Sequence, residues 1–219
     1  MLSTPFVPSS SDDHPDSHCQ QFETASEIVH LRDFCSAPLV ASLKADTGLR
    51  AFARTAEREH QLLSTIAQRP DSKLTLAYTG QGIIVGQVTL VPASGWWEEL
   101  PNTYEIAIEV SSSRRRRGLA RKLLGLALEQ DWLDDFIIIG LGLSWHWDIE
   151  GSGLTRFGYR AMIAQLFAYH GFAEYLTAEG NIAMDPANIF LGRFGRRVDN
   201  ETMNLFFQRL LQSDRLPGL

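Results

Sequence analysis

The sequence predicts a single domain of the α+β (or α/β) class, in which helices alternate with strands of a mixed sheet. Three observations carry that prediction. Lys73 to Tyr78 and Ile83 to Val91 read as two apolar strands joined by Thr79-Gly80-Gln81-Gly82, a hairpin by composition. Tyr104 to Val110 reads as a further strand that enters a short polar turn and then an amphipathic helix from Gly118. Phe136 to Ser144 is the continuous apolar run expected of a buried strand.

In chain order, residues 1–24 read as a disordered polar tail rich in Ser, Pro and Asp, and residues 25–215 as the folded domain. His14, His18 and Cys19 cluster in that tail, but no further ligand sits at metal-site spacing, so no metal is expected. Residues 25–48 are weakly patterned and suit a strand, a connection and a turn of helix. Leu49 to Gln68 carries a helical apolar stripe, closed by Pro70-Asp71-Ser72. Trp96-Trp97-Glu98-Glu99 interrupts the sheet, and its paired indoles suit either a lid over a pocket or a packing plug. After the helix from Gly118 to about Trp132 and the buried strand come a helix over Leu154 to Tyr169 and a short strand over Ala173 to Ala178. Pro186 to Phe194 reads as a last core helix, and Thr202 to Leu211 as a closing amphipathic one.

With 219 residues and 44% hydrophobic composition the chain is long enough for a proper core. The net charge is −6, with basic residues bunched at one turn, which favours a local phosphate site over a nucleic-acid surface. Cys19 and Cys35 are the only cysteines and read as free thiols of a reducing compartment. No apolar run has transmembrane length and no signal pattern opens the chain, so the expectation is a cytoplasmic protein away from membranes.

The turn after Val110 is the most informative stretch. A strand, a polar turn and a helix N-terminus make an anion site, because the first helical amides have no intrahelical partner and the helix dipole adds positive charge. Gly118 and Ala120 let a ligand approach the backbone, and Arg114 to Arg117, Arg121 and Lys122 surround the same point with cations suited to phosphate. The competing reading of the arginine run is a solvated face or a nucleic-acid contact. Strand alternation puts Glu105 and Glu109 on one face and Tyr104, Ile106, Ile108 and Val110 on the other. An acid flanked by isoleucines on such a strand lines a cavity, pairs with a cation, or reaches the sheet edge.

Val110-x-x-x-x-Arg115-x-x-Gly118-x-Ala120 resembles the acetyl-CoA loop of the GNAT superfamily of N-acetyltransferases, Val-x-x-x-x-(Gln/Arg)-x-x-Gly-x-(Gly/Ala). Ser144-Trp-His-Trp-Asp-Ile-Glu-Gly151, Glu57-Arg-Glu-His-Gln-Leu62 and Pro186-Ala-Asn-x-x-Leu-x-Arg193-x-Gly195 extend the likeness to the acetoin-utilisation acetyltransferases, over about residues 45–211. The resemblance implies a mixed sheet that splays at the acetyl-CoA site and is flanked by helices. It implies acetylation, and inactivation, of a lysine of acetyl-CoA synthetase as protein partner. It also implies acetyl-CoA as co-substrate, seated by Ile108, Val110, Arg115, Arg116, Arg117, Gly118, Leu119, Ala120 and Arg121.

Such a reaction needs a group to take a proton from the attacking amine, since only about one lysine in two thousand is neutral near pH 7. Glu105, Glu109, His146 and Asp148 are the candidates, and Asp148 also suits a role in orienting His146; a structural histidine between packed indoles is the other reading of His146. The position matching the family's strand glutamate is Tyr104, one residue from Glu105, and the place of the family's helix tyrosine is Leu191. Two further functions fit the sequence: acetylation of a small amine, and acyl-CoA sensing without catalysis.

Overall fold

The computed structural model describes residues 17–24 and 27–212. The chain divides into two compact units, one of Met1–Val91 with Ala107–Gln130 and one of Pro92–Ile106 with Asp131–Leu219.

The first unit holds β1 (Cys19–Glu23), β2 (Ile28–Arg32), α1 (Ala37–Ser42), β3 (Lys44–Ala45), α2 (Ala56–Ala67), β4 (Lys73–Thr79) and most of β5 (Ile83–Pro92). It also takes the second half of β6 (Thr103–Val110) and α3 (Leu119–Leu128). β1, β2, β4 and β5 pair antiparallel in that order, and the short β3 lies parallel to β5. Leu39, Leu49, Leu63, Leu76 and Ile84 are fully buried in its core.

The second unit starts with the first half of β6 and continues with β7 (Ile137–Gly142), α4 (Ile149–Ser152), α5 (Arg156–Ala168), β8 (Ala173–Tyr175), α6 (Gly180–Ala183), β9 (Ile189–Phe194) and α7 (Asn200–Leu210). β6 runs parallel to β7 from Thr103↔Ile137 to Glu105↔Ile139, while β7 and β9, and β9 and β8, are antiparallel. The strands thus form the expected mixed, mostly antiparallel arrangement flanked by helices. Trp97 is a packing plug: it is 2% exposed and stacks on Phe190 with ring centroids 4.4 Å apart. Trp96 instead lies under the Arg209 guanidinium, 4.8 Å from its ring centroid.

Several elements differ from the sequence reading. Pro186 to Phe194 is a turn followed by strand β9, not a helix. Asp185 Oδ1 accepts the Ala187 amide and Asn188 N–H donates to Asp185 O, which closes a turn after which Phe190, Leu191 and Gly192 pair on both edges. A short apolar run buried on both sides has no period that separates strand from helix. The helix expected from Leu49 begins only at Ala56, where Thr55 caps it by accepting the Arg58 amide; Arg54 just before has a left-handed φ of 64° that breaks any earlier helix. The helix from Gly118 stops at Leu128, and a 3₁₀ turn follows at Asp131–Asp135.

Part of the expected tail is ordered as well. Cys19–Glu23 pairs with β2, and Asp33, 2% exposed, accepts from the His18 amide and from Gln130 Nε2. His14 lies outside the described residues. Among those described, no group of His, Cys, Asp and Glu is arranged to hold a metal, and no helix is long and apolar enough to cross a membrane. Both cysteines are free thiols, and burial pushes that of Cys35 up to about 12.

Candidate active site

The phosphate-type turn lies wholly in the first unit. Val110 ends β6 buried, and Ser111 behind it has no exposed surface and donates its amide to Val85 O at 2.9 Å. Ser111 Oγ donates to Asp46 Oδ1 at 2.6 Å and accepts the Ser113 amide, while Arg114 N–H closes the 3₁₀ turn on Ser111 O. Ser112 N–H reaches Gly48 O at 3.3 Å. Gly48 is required there, because a Cβ on it would stand 2.9 Å from Ser112 N.

From this braced start the backbone turns twice through left-handed conformations, at Arg116 (φ 62°) and at Gly118 (φ 80°), before α3 begins. Left-handed residues in a turn are the backbone arrangement of anion-binding nests. Gly118 is exposed, has nothing within 4 Å of where a Cβ would stand, and offers no side chain to cap the helix. The first ladder bond of α3 is Lys122 N–H to Gly118 O, so the amides of Leu119, Ala120 and Arg121 precede the ladder at the dipole's positive end. Leu119, Leu123 and Leu124 anchor α3 in the core, and Gly86 of β5 keeps it close, since a Cβ there would touch Leu123 at 3.3 Å.

The cations divide into two sets. Arg114 is committed to an ion pair with Glu27, and Arg115 Nε donates to Val110 O at 3.3 Å. Arg116, Arg117, Arg121 and Lys122 are solvent-exposed around the turn. An exposed left-handed glycine, helix-head amides and flanking cations fit a pyrophosphate.

The acid candidates have different surroundings. Glu109, 5% exposed, uses Oε1 to accept the amides of Arg50 and Ala51 at 2.7 and 2.8 Å, so it holds backbone in place. Glu105, in the second unit, is half-buried; burial lifts its carboxyl above the usual glutamate range, and the nearby Glu179 carboxylate adds to that. Glu179 is itself fixed: it caps α6 by accepting the Ile182 amide at 2.8 Å, and it accepts Asn181 Nδ2 at 2.9 Å. Tyr104 packs its ring against Trp132 and Phe136 with centroids 5.6 and 5.1 Å away.

His146 closes a 3₁₀ turn, Ser144–His146, with the Trp145 ring 6.0 Å away and 52% of Trp145 exposed. Trp147 stacks on Tyr159, and Asp148 caps α4 by accepting the Gly151 amide at 2.9 Å. This block is set by the Pro-Ala-Asn block. Asn188, 4% exposed, accepts Ser144 N–H at 2.7 Å and donates to Asn181 O, and Ser144 Oγ donates to Asp185 Oδ2 at 2.8 Å. The sequence singled out both blocks but held no sign that one clamps the other. It also passed over Asp46 and Gly48, for which Asp-Thr-Gly reads only as a turn.

Residues 41–141, which include this turn, match the model of the acetyltransferase (GNAT) family. The chain is thus similar to the GNAT family over 101 of its 219 residues. GNAT enzymes take the acetyl group from acetyl-CoA, and this chain is an acetyl-CoA-dependent N-acetyltransferase. It is 29% identical over 198 residues to acetoin utilization protein AcuA of Bacillus licheniformis, covering 88% of this chain and 93% of that one. The AcuA protein of Bacillus subtilis is 27% identical over the same shares. The crystal structure of an acetoin utilization protein from Exiguobacterium sibiricum superposes with a TM-score of 0.85 at 28% identity, covering 90% of this chain and 94% of that one. The likeness to these acetoin utilization proteins therefore extends well beyond the matched family region.

Proposed function

We propose that this chain is a protein lysine Nε-acetyltransferase whose substrate is acetyl-CoA synthetase, and that acetylation switches the synthetase off. The observation that carries the cofactor half of this reading is the exposed left-handed turn Arg116–Gly118 at the head of α3. The near full-length likeness to proteins named for acetoin utilisation supports placing the activity in acetoin metabolism.

In this reading the amides of Arg116 to Ala120 hold the pyrophosphate, with the exposed guanidinium groups of Arg116, Arg117 and Arg121 beside it. Arg115 ties the turn back to the strand end, and Leu119 anchors the helix head. Ile108 and Val110 present the β6 backbone to the pantetheine arm. Acetyl-CoA supplies the acetyl group as a thioester; a C–N bond to the lysine forms as the C–S bond breaks, and coenzyme A departs as a thiolate that takes up the second proton lost by the nitrogen. Glu105 takes the ammonium proton, a role suited to a carboxyl whose proton affinity is raised. Glu109 positions the Arg50–Ala51 backbone, and His146 with exposed Trp145 faces the incoming protein.

Transfer of label from acetyl-CoA to purified acetyl-CoA synthetase, followed by mapping of the acetylated residue, tests this reading. It predicts one modified lysine, loss of synthetase activity in step with labelling, and no transfer by Gly118→Glu. Label that goes only to polyamines or amino sugars would overturn the protein-substrate reading while leaving the acetyltransferase intact.

A further inference from the structure

One loop of the first unit is held by two carboxyl groups that belong to neither the phosphate turn nor the reacting atoms. Glu109 accepts the amides of Arg50 and Ala51. Two residues later the Ala53 amide donates to Oε2 of Glu59 at 3.1 Å. Glu59 lies in the first turn of α2 with 0% exposure, and its second oxygen, Oε1, is buried with no hydrogen-bond partner among the described residues. The start of the same loop is pinned to the phosphate turn, through Asp46 to Ser111 Oγ and through Gly48 O to Ser112 N–H. Two acids from β6 and α2 thus seat a loop whose other end braces the turn that carries Gly118.

A buried carboxylate with an unsatisfied oxygen is costly, and a proton relieves that cost. Glu59 fits this: burial and then the charge of Glu109 push its carboxyl up to about 7, opposed only in part by the amides of Ala53 and Phe52. Glu109 from β6 and these loop amides are the groups that face it.

We propose that Glu59 is a positioning residue for acetyl-CoA binding, acting through Glu109 and the Arg50–Ala53 backbone on the seat formed by Ser111 to Gly118. The proposal rests on the assignment of that turn as the cofactor seat. With Glu59 protonated, a single carboxylate stands in the buried site and the loop stays closed on β6. With Glu59 ionised, two like charges oppose each other there and the loop loosens. The protonated form prevails below about pH 7 and is lost as pH rises through that value, so acetyl-CoA affinity is highest on the acidic side.

Calorimetric titration of acetyl-CoA from about pH 6 to about pH 8.5 tests this with the full chain, Glu59→Gln, Glu59→Ala and Gly118→Glu. The wild type should lose affinity roughly threefold to tenfold across the range, beyond whatever slope the cofactor's own phosphates impose. Glu59→Gln, of the same shape without the charge, should show only that cofactor slope, and Glu59→Ala should bind more weakly at every pH. A Glu59→Gln variant that keeps the full wild-type slope, or a folded Glu59→Ala that binds as the wild type does, overturns the proposal. Should Glu59→Ala fail to fold, the Gln variant decides alone. Wild-type affinity in Gly118→Glu would instead overturn the seat assignment itself.

Discussion

Glu105 and Glu109 are four residues apart on one strand and share a face by alternation, so the sequence treats them as equals. Their hydrogen bonds separate them. Glu109 spends one oxygen on two loop amides, whereas Glu105 sits half-buried near a fixed second carboxylate and holds its proton more tightly than an ordinary glutamate. In its proposed role as base, Glu105 must be ionised to accept the amine proton, so the rate should climb as pH rises through its elevated pKa. Glu105→Gln is expected to lower kcat by about a hundredfold or more while leaving the KM for acetyl-CoA unchanged. Steady-state kinetics with both substrates varied would check this, and an unchanged kcat would move the base elsewhere. The Glu105–Glu179 pairing was not legible in the sequence, because 73 positions lie between the two acids along the chain and only the folded unit brings them together.

At the scale of elements, the turn from Val110 to Ala120 was readable because its signals are local: a strand, small residues, cations and the start of an apolar period. The left-handed φ at Gly118 is what a glycine at that point foretells. β9 was not readable. Its Ile-Phe-Leu-Gly run is buried on both faces, so it lacks the alternation that marks a half-exposed strand, and the turn that starts it depends on Asp185. The helix start at Ala56 was misplaced for a similar reason, since the amides before it are satisfied by Glu109 and Glu59, which no helical period reveals. The Asn188 clamp is the element-scale feature most open to test. Asn188→Ala removes the acceptor of the buried Ser144 amide and the donor to Asn181 O, at a cost of about 1–3 kcal/mol for the orphaned groups. Thermal unfolding should show that loss, and transfer to protein substrate should fall further than acetyl-CoA binding does, because the clamp sets the Trp-His-Trp-Asp block and not the phosphate turn.

For the whole molecule, the match of residues 41–141 to the GNAT family model and the likeness to acetoin utilization proteins over some nine-tenths of the chain agree with what the turn can do chemically. The arginine run, which composition alone also allows as a solvated face, divides in the folded chain between bracing and an exposed ring. Arg114 pairs with Glu27, Arg115 ties to Val110 O, and the remaining cations are exposed around the head of α3. The proposed function stands or falls on coenzyme A being held by the Arg116–Ala120 backbone. Titration of coenzyme A into the wild type and into Gly118→Glu measures it most directly, with circular dichroism to establish that both are folded. Saturable binding by the wild type is expected, with a loss of about a hundredfold or more in the variant, equivalent to roughly 3 kcal/mol. Equal affinity in the two proteins would contradict it and place the cofactor somewhere other than this turn.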